Sequence, residues 1–465
     1  MNKATVLFVY VDLQASTSFS MGLGISSLSG YLKKHGRNTA LVYYKRVSDD
    51  ARLAEKIRQA QPNILAFYST SVSVDVVKRL SAQLRSEFPS LYQAYGGIHA
   101  TLVPETLNET GTLDALCTGY GELPLLELCR RIEEGRTPVD VPGLRVRTRR
   151  GEGEEVVVNS PWVPPADVDE YVTFDPLLFL NEFRGRPGFQ EANCRLEIIF
   201  NRVCPFGCAF CSNERLRKVL GRGGFRPSPE HSVTVLRQAL DETGLKFVAI
   251  HDDILTLDKA WFREFMCLFM ERIGLPFSCN LRAGTFDEED VALLKKAKVA
   301  ETWIGLESGN DYIRNKIMRK GVSRKQLSHS FDLLRKHGVF AITQNLIGVP
   351  EETPAAFIET VKLNAALKPG HSFLSVFYPY PTTSLFERCR RDGLIAPHDQ
   401  DFVERNETTL HMPQFPPEDI RFYSENFYRL QEYHRKWLEA PAAALPELTA
   451  ENSRLIVERM LGENG

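Results

Sequence analysis

Three cysteines within a short segment constrain this chain more than any other feature of its sequence. Cys204, Cys208 and Cys211 stand in the spacing Cys-x-x-x-Cys-x-x-Cys. Thiolates are soft ligands that suit iron–sulfur clusters, and a [4Fe–4S] cluster usually takes four of them. Three close thiolates can bind three irons and leave the fourth iron open to another ligand. The alternatives are three unrelated cysteines or a zinc knuckle, which prefers four ligands in paired Cys-x-x-Cys sequences, and no second pair occurs here.

The composition is typical of a globular protein in a reducing compartment. The 465 residues are 43% hydrophobic and 25% charged, and the other six cysteines are scattered, which indicates free thiols. A net charge of −2 gives no electrostatic reason to bind nucleic acid. The apolar segment 5–11 is followed at once by Asp12, without a signal-peptide cleavage site. No apolar run reaches the ~18 residues of a membrane span, so we expect a cytoplasmic protein.

Five apolar runs alternate with amphipathic segments in the N-terminal part of the chain. Such β/α units predict a doubly wound, flavodoxin-like parallel sheet, whose ligands lie beyond the carboxyl ends of the strands. The predicted strands are 6–11, 39–43, 64–68, 91–95 and 113–117. The predicted helices are 25–36, 48–60, 73–88, 101–109 and 122–134.

Three of these strand ends carry short hydroxyl residues or glycines. The third strand runs into Ser69-Thr-Ser71, the fourth into Gly96-Gly-Ile-His-Ala-Thr101 and the fifth into Thr118-Gly-Tyr-Gly-Glu122. Glycine lets a backbone approach a large ligand closely. One such loop is usually only a turn, whereas three at successive strand ends predict a binding site.

These loops resemble those of the cobalamin-binding domain that precedes some radical S-adenosylmethionine (SAM) domains, where GGxHxT and TGxGE-like sequences recur. The resemblance implies that the corrinoid and its nucleotide tail are lined by Ser69, Thr70, Gly97, His99 and Gly121. His99 could instead be a loop histidine that bonds the backbone.

One motif of the cobalamin-binding domains is missing. Many of them carry DxHxxG after the first strand, and its histidine ligates cobalt from below. The corresponding loop here, residues 14–24, contains no histidine. We therefore expect no cobalt-ligating histidine from this motif, which suits a protein that passes on a methyl group or electrons.

A second series of alternating strands and helices follows a connector. Residues 141–190 predict a small β-hairpin and then a linker rich in proline and glycine. Beyond it, six β/α units predict a partial (β/α)6 barrel, which places its chemistry at the carboxyl ends of its strands. The predicted strands are 197–202, 246–251, 277–281, 301–305, 339–346 and 373–377. The predicted helices are 258–272, 287–298, 323–337 and 354–366.

The first of these strands leads into the cysteines, and the later strand ends carry polar or glycine residues. This pattern closely resembles the radical SAM domain of the cobalamin-dependent branch over residues 190–395. The resemblance implies that the cluster is bound by Cys204, Cys208 and Cys211, and that the SAM amino group meets the backbone at Asp252 and Asp253. It also implies that the SAM carboxylate and ribose are reached by Arg282, Glu307 and Ser308, and adenine by Gly348 and Val349.

The chain is thus predicted to divide into four segments. They are a cobalamin-binding Rossmann-like domain (1–140), a hairpin and linker (141–190), a radical SAM partial barrel (191–395) and a C-terminal helical cap (396–465). The last segment carries aromatic residues at helical spacing. Such a stripe is usually part of a core, and a cap over the substrate is the alternative.

The resemblance implies an enzyme that uses a [4Fe–4S] cluster, SAM and cobalamin. It favours a methyltransferase that methylates an unactivated carbon of a small metabolite through a 5′-deoxyadenosyl radical and methylcobalamin. A cyclase, rearrangement or oxidation enzyme without methyl transfer is the first alternative, and a non-catalytic corrinoid carrier or sensor is the second. The expected partners are a small-molecule substrate and a flavodoxin- or ferredoxin-type electron donor. We expect no nucleic acid or membrane span, and the sequence assigns neither a catalytic acid or base nor an oligomeric state.

Overall fold

The computed structural model describes residues 5–13, 19–150, 153–202, 204–221, 225–395, 407–439 and 445–462. The chain divides into two compact units. Unit 1 comprises Met1–Val203 and Arg215–His251, and unit 2 comprises Cys204–Glu214 and Asp252–Gly465. The cysteine motif therefore belongs to unit 2. The predicted boundaries at 140, 190 and 395 stay predictions.

Strands and helices alternate through most of the described part of the chain. The strands are β1 (Thr5–Val11), β2 (Asn38–Tyr44), β3 (Ile64–Ser69), β4 (Tyr92–Gly96), β5 (Ala115–Cys117), β6 (Leu144–Arg150), β7 (Gly153–Val158), β8 (Leu196–Ile198), β9 (Val248–Ile250), β10 (Phe277–Leu281), β11 (Val299–Glu307), β12 (Ala341–Ile347) and β13 (His371–Val376). The helices are α1 (Leu23–Lys34), α2 (Asp50–Ala60), α3 (Val74–Glu87), α4 (Ile98–Leu102), α5 (Thr106–Glu109), α6 (Glu122–Glu133), α7 (Pro176–Phe183), α8 (Asn213–Leu220), α9 (Pro229–Thr243), α10 (Lys259–Arg272), α11 (Glu288–Lys296), α12 (Arg324–Lys336), α13 (Pro354–Leu367), α14 (Ser384–Arg391), α15 (Pro417–Glu439) and α16 (Ala450–Gly462).

The first sheet has seven strands in the order β2-β1-β3-β4-β5-β6-β7. Strands β1 to β5 are parallel, with Val6 of β1 opposite Thr39 on β2 and Ile64 on β3. Since β1 lies between β2 and β3, the strand order reverses at this position, where doubly wound sheets bind ligands. The predicted doubly wound sheet is confirmed. The predicted hairpin is formed by β6 and β7 and extends the sheet in antiparallel fashion.

Apolar side chains explain why these segments form strands. Leu7, Val9, Leu65 and Phe67 are at most 1% exposed and belong to one hydrophobic cluster. That cluster also includes Leu53 and Ile57 of α2 and Val77, Leu80 and Leu84 of α3. These helix residues recur at the helical period, so each helix has one apolar face to pack on the sheet.

Side chains from residues later in the sequence form hydrogen bonds with the backbone of the outer strand β2. The N–H of Tyr43 donates to Oε1 of Glu182 at 2.8 Å, and Nη2 of Arg186 donates to the Tyr43 carbonyl at 2.6 Å. Glu182 lies on α7, which packs against β2. The backbone groups that Tyr43 directs away from β1 are therefore satisfied by side chains.

The second sheet has six strands in the order β13-β12-β11-β10-β9-β8. Its pairs β8–β9, β10–β11, β11–β12 and β12–β13 are parallel, as the predicted (β/α)6 arrangement requires. Four helices of unit 2 start at defined caps, because Asp258, Asp287, Ser323 and Thr353 each accept a backbone N–H of the first turn. These caps fix the loops that join strand ends to helices.

The aromatic residues of α15 form a core with α13. Tyr423, Phe427 and Tyr433 are at most 7% exposed, and the ring centroid of Phe357 lies 5.5 Å from Tyr423 and 5.9 Å from Phe427. The core interpretation of the stripe is confirmed for these three residues, whereas Tyr428 is 48% exposed. Of the helices that the structure describes, none combines the length and the apolar character needed to cross a membrane.

Candidate functional site

The cysteine loop is anchored on both sides by backbone hydrogen bonds. The N–H of Ala209 donates to the Met318 carbonyl at 2.8 Å, and the Ala209 carbonyl accepts from the N–H of Leu385 at 2.9 Å. The N–H of Cys211 donates to the Cys208 carbonyl at 3.1 Å, which closes a turn between these two cysteines. The loop is thus held as a fixed part of unit 2.

A buried arginine lies against the cysteine loop. Nη1 of Arg282 is 3.9 Å from Sγ of Cys208, and its guanidinium lies 3.7 Å from the ring centroid of Phe206. Burial raises the pKa of the Cys204 thiol, whereas the positive charge of Arg282 lowers it. Burial also raises the pKa of Cys211 to about 12. Ligand thiolates must lose their protons, so cluster binding at this loop releases protons.

The thiolate set fits an iron–sulfur cluster. In the part of the chain that the structure describes, no three His, Cys, Asp or Glu side chains are placed to hold a single metal ion. In a [4Fe–4S] cluster each thiolate binds a different iron, so the sulfurs do not need to converge on one point. Cys204, Cys208 and Cys211 are all free thiols on one anchored loop.

Two aspartates follow strand β9 near these thiols. Asp252 is fully buried, and its carbonyl accepts from Nδ2 of Asn280 at 3.0 Å. Oδ1 of Asp253 accepts from Nδ2 of Asn213 at 2.9 Å, and burial raises the pKa of Asp253. The negative charge of Asp253 contributes to the raised pKa values of Cys204 and Cys211, so this carboxyl group lies near the cluster loop.

A carboxylate and two cations form a cluster next to Cys208. Nζ of Lys320 lies 2.7 Å from Oε1 of Glu307, and Nη2 of Arg282 donates to the Lys320 carbonyl. Glu307 has a φ of +68°, which turns the chain at the end of β11. This mixed cluster suits the zwitterionic amino-acid end of SAM. Lys320 was not predicted, because it follows no strand and belongs to no recognised motif.

Ser308 is fully buried, and its hydroxyl group forms hydrogen bonds with nearby protein groups. Oγ accepts from the N–H of Asn310 at 3.3 Å and lies 3.5 Å from the hydroxyl of Thr360. The predicted ribose contact of Ser308 stays a prediction.

The backbone at Gly348 and Val349 is engaged by a buried glutamate. Both N–H groups donate to Oε2 of Glu352, at 2.7 and 3.4 Å. Burial raises the pKa of Glu352 to about 8, and its Oε1 is buried without a hydrogen-bond partner among the described residues. An adenine ring at this loop would have to use other groups, or displace Glu352. The predicted adenine contact stays a prediction.

Unit 1 contains a cavity of about 140 Å³ beyond the carboxyl ends of β3, β4 and β5. The predicted residues Gly97 and Gly121 line it. Gly97 has a φ of +98°, and a Cβ atom there would lie 2.4 Å from the Tyr68 ring. Only glycine therefore fits this wall.

The other three predicted cobalamin contacts are not among the residues that line this cavity. The hydroxyl of Ser69 lies 2.8 Å from that of Tyr95. Nδ1 of His99 lies 2.9 Å from Oγ of Ser71, and Nε2 lies 3.1 Å from Oγ1 of Thr106. Burial lowers the pKa of His99 to about 4, so the ring is neutral. Both ring nitrogens are thus engaged by hydroxyl groups, and contacts of Ser69, Thr70 and His99 with cobalamin stay predictions.

A buried ion pair lies at the wall of the same cavity. Nη1 of Arg202 lies 2.6 Å from Oε1 of Glu122, and Oγ of Ser27 bonds both side chains. Oε2 of Glu122 is buried without a partner among the described residues. An unpaired acceptor beside a glycine-lined wall fits a ligand that brings N–H donors, such as the amide side chains of cobalamin. Arg202 escaped prediction because its partners are distant in sequence.

Two family models match the chain. One, described as the B12 binding domain, matches residues 15–129, and the other, described as the Radical SAM superfamily, matches residues 198–363. The first match covers the cavity loops, and the second covers the cysteine loop, Arg282, Glu307 and Glu352.

Relatives and solved structures match much of the chain. An anaerobic magnesium-protoporphyrin IX monomethyl ester cyclase of Rubrivivax gelatinosus is 25% identical over 376 residues, which cover 78% of this chain but 65% of the relative. The uncharacterized methyltransferase PH0819 of Pyrococcus horikoshii is 25% identical over 375 residues, covering 79% of this chain and 78% of that protein. The radical SAM methyltransferase TsrM of Kitasatospora setae, solved with tryptophan substrate and a SAM analogue, has a TM-score of 0.71 at 17% identity. That match covers 92% of this chain and 89% of TsrM, and it concerns the fold alone.

Proposed function

We propose that this chain, which belongs to the cobalamin-dependent radical SAM enzymes, is a methyltransferase that methylates an unactivated carbon of a small metabolite. The observation that carries this choice is the loop after β1, which contains no histidine to ligate cobalt. Residues 14–18 of this loop lie outside the described residues, but its sequence is unambiguous. A cobalamin without a histidine ligand from this loop suits a protein that passes on a methyl group or electrons, rather than one that homolyses adenosylcobalamin.

Relatives named as methyltransferases support the same choice. This chain spans 78% of the P. horikoshii protein named as an uncharacterized methyltransferase. It spans 65% of the R. gelatinosus cyclase but 78% of a cyclase of Synechocystis sp., so length does not separate the two reactions.

When bound, the cluster and SAM supply a 5′-deoxyadenosyl radical, and methylcobalamin supplies the methyl group. The protein contributes binding and orientation. Cys204, Cys208 and Cys211 would hold the cluster, and Nη1 of Arg282 places a positive charge 3.9 Å from the Cys208 sulfur. Glu307 and Lys320 offer one negative and one positive group to the amino and carboxylate groups of SAM.

The wall of the cobalamin cavity contributes its shape and one hydrogen-bond acceptor. The backbone at Gly97 and Gly121 allows close approach of a large ligand, and Oε2 of Glu122 can accept an N–H from it. The rest of the cavity is mostly apolar, including Leu125 and Leu128, so it excludes water from the bound group.

A cyclase or rearrangement enzyme that uses both cofactors without methyl transfer is the second candidate, and the match to the R. gelatinosus cyclase favours it. A small-molecule substrate and a flavodoxin- or ferredoxin-type electron donor complete either proposal.

The two candidate reactions can be distinguished without a known substrate, by the products formed from SAM and cobalamin. Anaerobically reconstituted protein is supplied with cobalamin, SAM and a chemical reductant, and the products are separated by chromatography. A methyltransferase forms methylcobalamin and S-adenosylhomocysteine in equal amounts. Formation of 5′-deoxyadenosine without methylcobalamin would contradict methyl transfer and support the second candidate. Cys208→Ala should abolish 5′-deoxyadenosine, whereas Cys267→Ala, which alters an exposed cysteine outside the motif, should not.

A further inference from the structure

A second cavity of unit 1 has a different character from the cobalamin cavity. Its volume is about 490 Å³, and its walls include three phenylalanines, Phe19, Phe183 and Phe189, together with Cys194 and Glu197. Glu197 lies on β8, the strand that precedes the cysteine motif. Neighbouring Leu196 and Ile198 are fully buried, so alternation along the strand turns Glu197 to the opposite face.

One oxygen of the Glu197 carboxylate accepts hydrogen bonds from the protein, and the other oxygen is available to a ligand. Oε2 accepts from the N–H of Met21 at 3.1 Å and from the hydroxyl of Ser20 at 3.3 Å. Within the described part of the chain, the hydrogen bonds of this carboxylate all go to Oε2, and none goes to Oε1. The basic residue of the wall is Arg195, whose guanidinium lies 4.4 Å from the Phe247 ring centroid and whose positive charge also acts on Glu197.

The environment makes an unpaired negative charge at Glu197 unfavourable. Burial raises the pKa of Glu197 to about 7, although the hydrogen bonds from Met21 and Ser20 and the positive charge of Arg195 lower it. A cation that enters the cavity would offset this penalty, because an opposite charge favours the ionised carboxylate.

The apolar wall also suits a cationic ligand with a ring or an alkyl body. The ring centroid of Phe19 lies 5.1 Å from that of Phe183 and 5.3 Å from that of Phe189, so the three rings form one continuous surface. Ring faces attract cations, and Nζ of Lys45 already lies 5.0 Å from the centroid of Phe19.

We propose that this cavity is the substrate site, and that it binds an organic amine whose ammonium group donates to Oε1 of Glu197 while its apolar body packs on Phe19, Phe183 and Phe189. This inference deepens the proposed function, since it names a substrate class for the same enzyme. Glu197 is here a binding and positioning residue, not one that takes part in bond breaking.

The first experiment compares two probes with the same body and opposite charge. Binding of 2-phenylethylamine and of 3-phenylpropionate to the cofactor-loaded protein is measured by anaerobic calorimetry at neutral pH. The amine should bind at least about tenfold more tightly, since charge-assisted hydrogen bonds are the stronger class. Glu197→Gln should remove this preference, and Glu288→Gln, which alters an exposed residue of unit 2, should keep it. Equal binding of the two probes, or an amine preference that survives in Glu197→Gln, would overturn the proposal.

The second experiment needs no variant, so it tests the amine site even if Glu197→Gln fails to fold. Cys194 lines the cavity and is half-buried, and its reaction with N-ethylmaleimide is followed by mass spectrometry. The amine should slow labelling of Cys194 several-fold and leave labelling of the exposed Cys267 unchanged. No protection of Cys194 would contradict the amine site.

These results are separable from the proposed function. Methylcobalamin formation from SAM is measured on the wild-type protein without added amine, and amine binding is measured separately. If wild-type protein forms no methylcobalamin but shows the amine preference, methyl transfer is wrong and the amine site stands. If methylcobalamin forms and the preference is absent, the amine site is wrong.

Discussion

Nη1 of Arg202 lies 2.6 Å from Oε1 of Glu122, although the two residues are 80 positions apart in the sequence. Glu122 opens helix α6 directly after the glycine loop of the cobalamin cavity, and Arg202 closely precedes the cysteine motif. The pair therefore joins the segment that leads into the cluster loop to the wall of the cobalamin cavity.

Replacement of Arg202 by methionine should destabilise the protein strongly. It would leave the carboxylate of Glu122, only 1% exposed, without its positive partner, and a broken buried pair costs about 3–5 kcal/mol. Urea unfolding followed by circular dichroism measures this loss. The control, Arg237→Met, breaks an exposed pair with Asp241 and should cost below ~1 kcal/mol. Equal losses in the two variants would contradict the importance of the buried pair.

Gly97→Ala should weaken cobalamin binding. With a φ of +98° and a ψ of −162°, Gly97 occupies a region essentially restricted to glycine, and alanine there costs roughly 1–3 kcal/mol of strain. The added Cβ would also overlap the Tyr68 ring, which lines the cavity. Retention of cobalamin after gel filtration, read from its absorbance, measures the effect. Gly111→Ala adds a methyl group where nothing lies within 4 Å, and it should retain cobalamin normally.

Cys208→Ala should lose the iron–sulfur cluster and keep cobalamin. The cysteine loop belongs to unit 2, whereas the residues that line the cobalamin cavity belong to unit 1. Iron content and cobalamin absorbance are measured on the same anaerobic sample. Cys267→Ala should leave both values unchanged. A cluster that persists in Cys208→Ala would argue against the three-thiolate site.

Glu352→Gln should alter the pH dependence of stability. The native carboxyl keeps its proton up to a pKa of about 8, whereas the unfolded chain releases it above its ordinary value of 4.5. Between these values the native state binds more protons, so the free energy of unfolding falls as pH rises, by at most about 1.4 kcal/mol per pH unit. The glutamine variant lacks this contribution and should show a shallower decline in denaturant unfolding between pH 5.5 and 7.5. The exposed control Glu425→Gln should follow the wild-type curve, and an unchanged slope in Glu352→Gln would refute the assignment.

Much of the fold could be predicted because its signals are local. The apolar runs that become β1, β3 and β10 are short and bounded by polar or glycine residues, and the cysteine spacing is readable within eight positions. The strand-end glycines at 97 and 121 were predicted for the same reason. Close approach of a backbone to a ligand requires glycine at a single position, and this can be recognised in the sequence.

The parts that escaped prediction depend on distant partners. His99 stands in a recognised motif, but its ring nitrogens bond Ser71 and Thr106, which no sequence spacing indicates. Lys320 and Glu197 acquire their importance from neighbours brought in by folding, namely Glu307 and the loop after β1. An isolated charged residue in a sequence gives no sign of whether it will be buried, paired or directed into a cavity.

The hydrogen bonds from side chains to the backbone of Tyr43 bear on whether this protein aggregates at high concentration. An outer strand with unpaired backbone groups can recruit a strand from another molecule and start aggregation. Here Glu182 and Arg186 occupy the backbone groups of Tyr43 on β2, and at the opposite edge β7 carries the charges of Glu154 and Glu155. These side chains make both edges of the seven-stranded sheet poorer templates for a newly synthesised copy, which favours a dispersed chain at the high concentrations that anaerobic reconstitution requires.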